Sequence, residues 1–281
     1  MKDAEKSLKV PLILTPKGKT GRRVVERFKT SGLSFRKGSR SSKIPFDWND
    51  ESTWVKALTG ISTVYVVFSP DLAVPGTTMI IKDFAEVAKE CGVEHLILLS
   101  GRGEEEAQAC EKIIINSGMH WTIVRSSWFA QNFSESFFME SILKGKLAIP
   151  VGDIKEPFVD IEDVADIIFA AFTDHKHLGK IYEVTGPDLL TFQDVIIKIN
   201  SVTRRDLKYQ QVSLEDYVNA LSSLEVPVEY IGLLSYLFTE VLDGRNAKVT
   251  DGVFDALGRP PRSFDSYVKK TSDLNIWDSP N

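Results

Sequence analysis

Short runs of aliphatic and β-branched residues alternate with stretches of three- and four-residue hydrophobic spacing over the first two thirds of the chain. The runs Val10–Leu14, Leu33–Arg36, Thr63–Phe68, His95–Ser100, Trp121–Arg125 and Ile181–Thr185 are predicted strands, and segments 18–30, 51–58, 77–90 and 104–117 are predicted helices. Strands separated by helices pair in parallel, because each crossover brings the chain back to the same edge of the sheet. The expected fold class is therefore α/β, a doubly wound parallel sheet with helices on both faces.

Beyond residue 188 the pattern turns helical. Thr191–Val202 starts at a threonine suited to cap it, Ser213–Leu224 starts at a serine followed by Asp216, and Tyr230–Leu242 is an apolar stretch. The expected division is a nucleotide-binding domain over 1–187, a smaller, mainly helical lobe over 188–272 to which 134–160 are a candidate addition, and a loose tail over 273–281.

The 281 residues are 43% hydrophobic and 26% charged, the composition of an ordinary globular protein. A net charge of −5 argues against nucleic acid as a partner. Cys91 and Cys110 lack any metal-binding or disulfide spacing, and both are expected to be reduced and buried. Met1 to Ser7 is charged and leads into a strand too short for a membrane span or a signal peptide, so the expectation is a cytoplasmic protein with no membrane partner.

The first strand runs through Thr15-Pro16-Lys17-Gly18-Lys19-Thr20-Gly21 into a helix. A strand, a glycine turn and a helix start present backbone N–H groups and a positive helix end to a pyrophosphate. Thr15, Gly18, Lys19, Thr20 and Gly21 are the candidate phosphate loop, with Thr15 standing where the G-x-x-G-x-x-G spacing would put its first glycine.

In parallel sheets ligands bind at the carboxyl ends of the strands. After the second strand, Arg36 to Ser42 contains no carboxylate, which favours NADP(H) over NAD(H), with Arg40, Ser41 and Ser42 as candidate contacts to a 2′-phosphate. Asp47 and Trp48 stand where an adenine edge and face would lie, and Ser69 where the ribose and nicotinamide would. Ser100 and Gly101 end a further strand beside the cofactor, with Arg102 next as a candidate substrate contact. Glu104, Glu105 and Glu106 read as an acidic first turn of the next helix. Trp128, Phe129, Asn132 and Phe133 are candidates for an apolar substrate wall with one polar anchor, core packing being the alternative.

The blocks G-K-T-G-R-R-V at 18–24, S-R-S-S at 39–42, W-T-I-V-R-S-S-W-F-A-Q-N-F at 121–133, P-F-V-D-I-E-D-V-A-D at 157–166 and V-T-D-G-V-F-D-A-L-G-R-P-P-R-S-F at 249–264 resemble the NmrA-like branch of the atypical short-chain dehydrogenase/reductases. Some of them also look like the ergot-alkaloid reductases of agroclavine or festuclavine dehydrogenase type. The resemblance implies a Rossmann-like domain, a small C-terminal lobe, an NADP(H) cofactor and a small-molecule substrate; a homodimer is a candidate assembly.

No tyrosine of the chain is followed four residues later by a lysine, so the proton-exchanging Tyr-x-x-x-Lys pair of ordinary short-chain dehydrogenases is missing. Two functions fit. One is an NADP(H)-dependent reductase acting on an imine, iminium or activated double bond of a cyclic or aromatic molecule, where hydride delivery needs little proton transfer. The other is a non-catalytic NADP(H) sensor acting through a protein partner. Catalytic residues stay unassigned, and no metal site is expected, because His175 and His177 have no further ligands at suitable spacing.

Overall fold

A computed structural model describes residues 9–278. Among these residues eight strands form two sheets: β1 (Val10–Leu14), β2 (Arg36–Gly38), β3 (Ile61–Val66), β4 (His95–Gly101), β5 (His120–Ser126) and β7 (Lys180–Val184) make a six-stranded sheet, and β6 (Lys146–Ile149) pairs with β8 (Lys208–Gln211). The large sheet has the order β2-β1-β3-β4-β5-β7 and is parallel, with flanking helices, as the alternating pattern predicts. The strand order reverses at β1, between β2 and β3, the place where doubly wound sheets open a crevice.

The second strand lies later than its hydrophobicity suggests. Pairing runs Leu12 to Arg36 and Leu14 to Gly38, while Leu33 is exposed. A Cβ on Gly38 would sit 2.5 Å from Leu14 Cδ2, so the glycine sets how closely β2 can lie against the side chains of β1.

The helices are α1 (Lys19–Thr30), α2 (Trp54–Leu58), α3 (Thr77–Glu90), α4 (Glu105–Ile115), α5 (Asn132–Glu135), α6 (Phe137–Leu143), α7 (Ile161–Thr173), α8 (Phe192–Thr203), α9 (Leu214–Ser223), α10 (Val228–Tyr236), α11 (Gly252–Leu257) and α12 (Phe264–Asp273). One π-helical turn, Leu237–Val241, continues α10. The pattern did not show α7. Its residues Ile161, Val164, Ala165, Ile167, Ile168 and Ala171 are all buried, so the apolar surface wraps too far around for a one-sided stripe. Phe28 of α1 packs edge-on against Phe169 and Phe172 of α7, with centroids 5.2 and 5.1 Å away.

The described residues form two compact units, one of residues up to 125 with 164–182, the other of 126–163 with those from 183 onward. In the first, Leu12, Leu14, Val64, Val66, Leu96 and Leu98 of the sheet pack with Phe46, Trp48, Trp54 and Phe84. The second is built around Phe133, Phe138, Phe158, Phe192 and Phe264. Two of its helix starts are those the sequence signals: Thr191 and Asp194 form a reciprocal capping box, and Ser213 accepts from the Asp216 amide, whereas α10 begins at Val228, two residues before the expected Tyr230. The chain's end is no loose tail as far as residue 278, since Trp277 is fully buried and donates from Nε1 to Phe133 O at 2.9 Å. Residues 1–8 and 279–281, with the charged start and the last part of the expected tail, lie outside the described residues.

A buried chain of polar groups crosses the amino ends of β4 and β5. Thr122 donates to His177 O at 2.8 Å, so His95, with Nε2 2.9 Å from Thr122 Oγ1, must be the donor to that hydroxyl. Its second nitrogen then stays unprotonated in the interior, and burial pushes its pKa from 6.5 down to about 4. A histidine held neutral stabilises the fold fully above pH 6.5 and loses that contribution as pH falls towards 4. Between pH 7 and 4.5 wild type should lose about 2 kcal/mol more than His95→Gln, read from urea midpoints at the two pH values.

Candidate functional site

Between β1 and α1 the backbone closes on itself. Thr15 N donates to Gly38 O and Gly18 N to Thr15 O, each at 3.0 Å. Gly18 is the N-cap of α1 with no side chain to cap it, and the first turn carries no acid, so the helix N–H groups are left for an anion. A Cβ on Gly21 would lie 2.1 Å from Thr15 O, which leaves room for no other residue. Thr15 itself has a φ of 49°, the left-handed region where a glycine would be unstrained and a β-branched residue costs about 1–2 kcal/mol.

Two side chains of the loop differ from expectation. Thr20 is buried and its hydroxyl accepts from Tyr65 OH at 2.8 Å, so it faces the core and can offer a ligand only its backbone. Lys17, which the motif does not mark, donates to Ser41 Oγ at 3.4 Å and so brings a cation to the end of β2. Arg40 and Ser41 are exposed there. Ser42 folds back, its amide donating to Ser39 O and its hydroxyl bonded to that of Ser39 at 2.8 Å. Lys17, Arg40 and Ser41 thus form a donor-rich rim beside the candidate phosphate loop.

Trp48 does not offer a face to a ligand. It is buried between Phe46 and Phe84, both at 4.9 Å, and donates from Nε1 to Val67 O at 3.2 Å. Asp47 shapes the turn: its carboxylate accepts from the Asn49 amide and its carbonyl from Trp54 Nε1 at 2.7 Å.

On the other side of β1, Ser69 is exposed after β3. Ser100 is buried and donates to Glu111 Oε1 at 2.6 Å, and Glu111 is held by Arg125 through Nε at 2.9 Å and Nη2 at 2.5 Å. Ser100 therefore orients a carboxylate of α4, and Arg102 is buried as well instead of projecting into an open site. The three successive acids divide: Glu105 and Glu106 are exposed in the first turn, as read from the sequence, whereas Glu104 is the buried N-cap. A Cβ on Gly101 would fall 2.1 to 2.2 Å from the carboxyl atoms of Glu104, so the acid folds directly over that glycine. Glu104 bonds to Asp71, and burial together with the Asp71 charge holds its carboxyl well above the usual range. The sequence signal was the glycine, which marked close approach but not what approaches.

In the second unit Phe133 is fully buried, ringed by Phe138, Phe158, Phe192 and Phe264 at 5.2 to 6.1 Å, and is core. Asn132 is buried too. Trp128 is partly exposed, stacked on Phe138 and Phe238 at 6.4 and 5.7 Å. Phe129 is partly exposed and bridges to Val159. Of the four proposed wall residues, Trp128 and Phe129 keep surface to offer.

Residues 20–254 of the chain match the NmrA-like family. The chain is 26% identical over 245 residues to the prestalk A differentiation protein A of Dictyostelium discoideum, with 86% of this chain and 80% of that protein covered. It is 28% identical over 283 residues to the agroclavine dehydrogenase of Claviceps fusiformis, with 92% and 96% covered. Its fold is similar to that of the NADPH-dependent quinone oxidoreductase of Escherichia coli complexed with NADPH, at a TM-score of 0.79 and 19% identity, covering 95% of this chain and 100% of that one.

Proposed function

Because the chain belongs to the NmrA-like family, we propose that it is an NADP(H)-dependent reductase acting on an imine, iminium or activated double bond of a cyclic or aromatic small molecule. The observation that carries this reading is the uncapped start of α1, packed through Gly21 onto the backbone of Thr15: a cradle open to a pyrophosphate and closed to any side chain. The residues fit the cofactor. Backbone amides at 19–21 and the helix dipole would hold the pyrophosphate, and Arg40, Ser41 and Lys17 would hold a 2′-phosphate. When bound, NADPH supplies a hydride. The partly exposed rings of Trp128 and Phe129 suit a flat or cationic substrate. The names of two similar proteins, a dehydrogenase and a quinone oxidoreductase complexed with NADPH, support the same reading.

Titration of the purified protein with NADPH and NADH, followed by nicotinamide fluorescence, tests it. Wild type should prefer NADPH, and Arg40→Ala should weaken NADPH about 10- to 100-fold, the loss of a charge-assisted contact, while leaving NADH unchanged. Absence of binding by either cofactor would overturn the reading.

A further inference from the structure

The strand order places two chemically different groups on either side of β1. Lys17, Arg40 and Ser41 lie towards β2; Asp71 follows β3 and Glu104 follows β4. A dinucleotide held by the loop between them would have its adenosine end beside the cations and its reacting end on the side of the two acids.

The acids have an unusual arrangement. Glu104 is buried over Gly101, and its Oε2 has no hydrogen-bond partner among the described residues. It is bonded to Asp71, which two carboxylates cannot do unless a proton lies between them. Asp71 is the partly exposed member; its Oδ1 accepts from the Ala73 amide at 2.9 Å, and the Lys19 cation of α1 faces it. These contacts favour the charge on Asp71 and the proton on Glu104. Behind Glu104, Glu111 of α4 adds negative charge, offset by its pairing with Arg125. Arg102 is buried in the same turn.

We propose that the Asp71–Glu104 pair is the proton donor of the reduction, taking the place of the missing tyrosine and lysine, and that the chain therefore acts on neutral acceptors that need a proton as well as a hydride. This rests on the reductase reading above. As a hydride adds to one atom of a C=N, N=N or quinone group, the electron pair of the broken π bond takes up, at the other end, the one proton of the pair, which passes from Glu104 to Asp71 and from Asp71 to the acceptor. Both carboxyls are then ionised, and Glu104 regains its proton from water. The sum is acceptor, NADPH and one proton giving reduced acceptor and NADP⁺. An N-alkylated iminium needs no proton and gains nothing from the pair.

The first readout is independent of turnover: infrared spectra at neutral pH should show the carbonyl stretch of a protonated carboxyl, absent in Glu104→Gln. The second compares acceptors at saturating NADPH. Glu104→Gln and Asp71→Asn should lower kcat with menadione 100-fold or more, with a changed pH profile, and change kcat with an N-methylated dihydroisoquinolinium less than about threefold. NADPH affinity should stay within about twofold of wild type. A missing carboxyl band overturns the proposal, as does a menadione rate that Glu104→Gln leaves intact, and in both cases the reductase reading stands. If wild type fails to bind NADPH, or binds it and reduces neither acceptor, the reductase reading fails and the donor role falls with it, whatever the band shows.

Discussion

Replacing Asp163 by alanine should lower the unfolding free energy by about 3 kcal/mol, the low end of the range for breaking a buried ion pair. Asp163 is fully buried. One carboxylate oxygen accepts from the Arg262 amide at 2.7 Å; the other accepts from Arg259 Nη1 at 2.7 Å and from the Arg262 guanidinium. The side chain thus ties the start of α7 to the loop before α12. Alanine leaves the part-buried Arg262 N–H without this acceptor and removes the Asp163 charge from two cations. Both arginines keep about a third of their side-chain surface in solvent and can be rehydrated, which is why the upper end of the range is not expected. The Asp163→Asn substitution keeps one acceptor and should cost about half as much. Glu140→Gln, which breaks the exposed Lys144 pair, should produce no measurable change and serves as the control. Urea midpoints for the three variants check the order; equal midpoints for Asp163→Ala and wild type would mean that the cluster contributes nothing.

That ion cluster shows what the chain's pattern does and does not reveal. Both halves were visible as blocks, at 157–166 and 249–264, yet nothing local says that an aspartate 96 residues before Arg259 is its partner. Strand and helix periodicity, glycine turns and caps are set by neighbours within a few residues, and those features were legible: the parallel sheet, the glycine turn between β1 and α1, and the Thr191 and Ser213 caps. Side-chain direction at the strand ends was not. Thr20, Trp48 and Phe133 sit beside polar or glycine-rich positions in sequence, but Tyr65, Val67 and a ring of phenylalanines decide where they point. The acid run at 104–106 misled in the opposite direction, because a first-turn glutamate and a buried N-cap glutamate have the same signature until the fold places Asp71 opposite. The departure at Thr15 was legible as a missing glycine, and the structure supplies the cost: a φ that only glycine takes without strain.

Gly21→Ala should lower NADPH affinity at least 100-fold, about 2.7 kcal/mol, with a smaller loss of stability. The new methyl carbon would lie 2.1 Å from Thr15 O, 2.9 Å from its carbonyl carbon and 3.1 Å from Pro16 Cα, all backbone atoms that no rotamer change can move. Either α1 retreats from the loop or the loop opens, and each takes the helix N–H groups away from the position in which they meet a phosphate. Gly18→Ala is a milder change, since its nearest neighbour is a side-chain methyl, Thr15 Cγ2, at 3.0 Å. The two variants can be separated by adding Thr15→Gly. That substitution removes Cγ2 and the strained φ together, so it should restore most of the affinity lost in Gly18→Ala and none of that lost in Gly21→Ala, where the obstacle is the Thr15 carbonyl oxygen that every residue carries. Nicotinamide fluorescence titrations of the two single and two double variants check this. Equal rescue of both would mean that flexibility at position 15, and not the close contact with α1, controls how the loop holds its ligand.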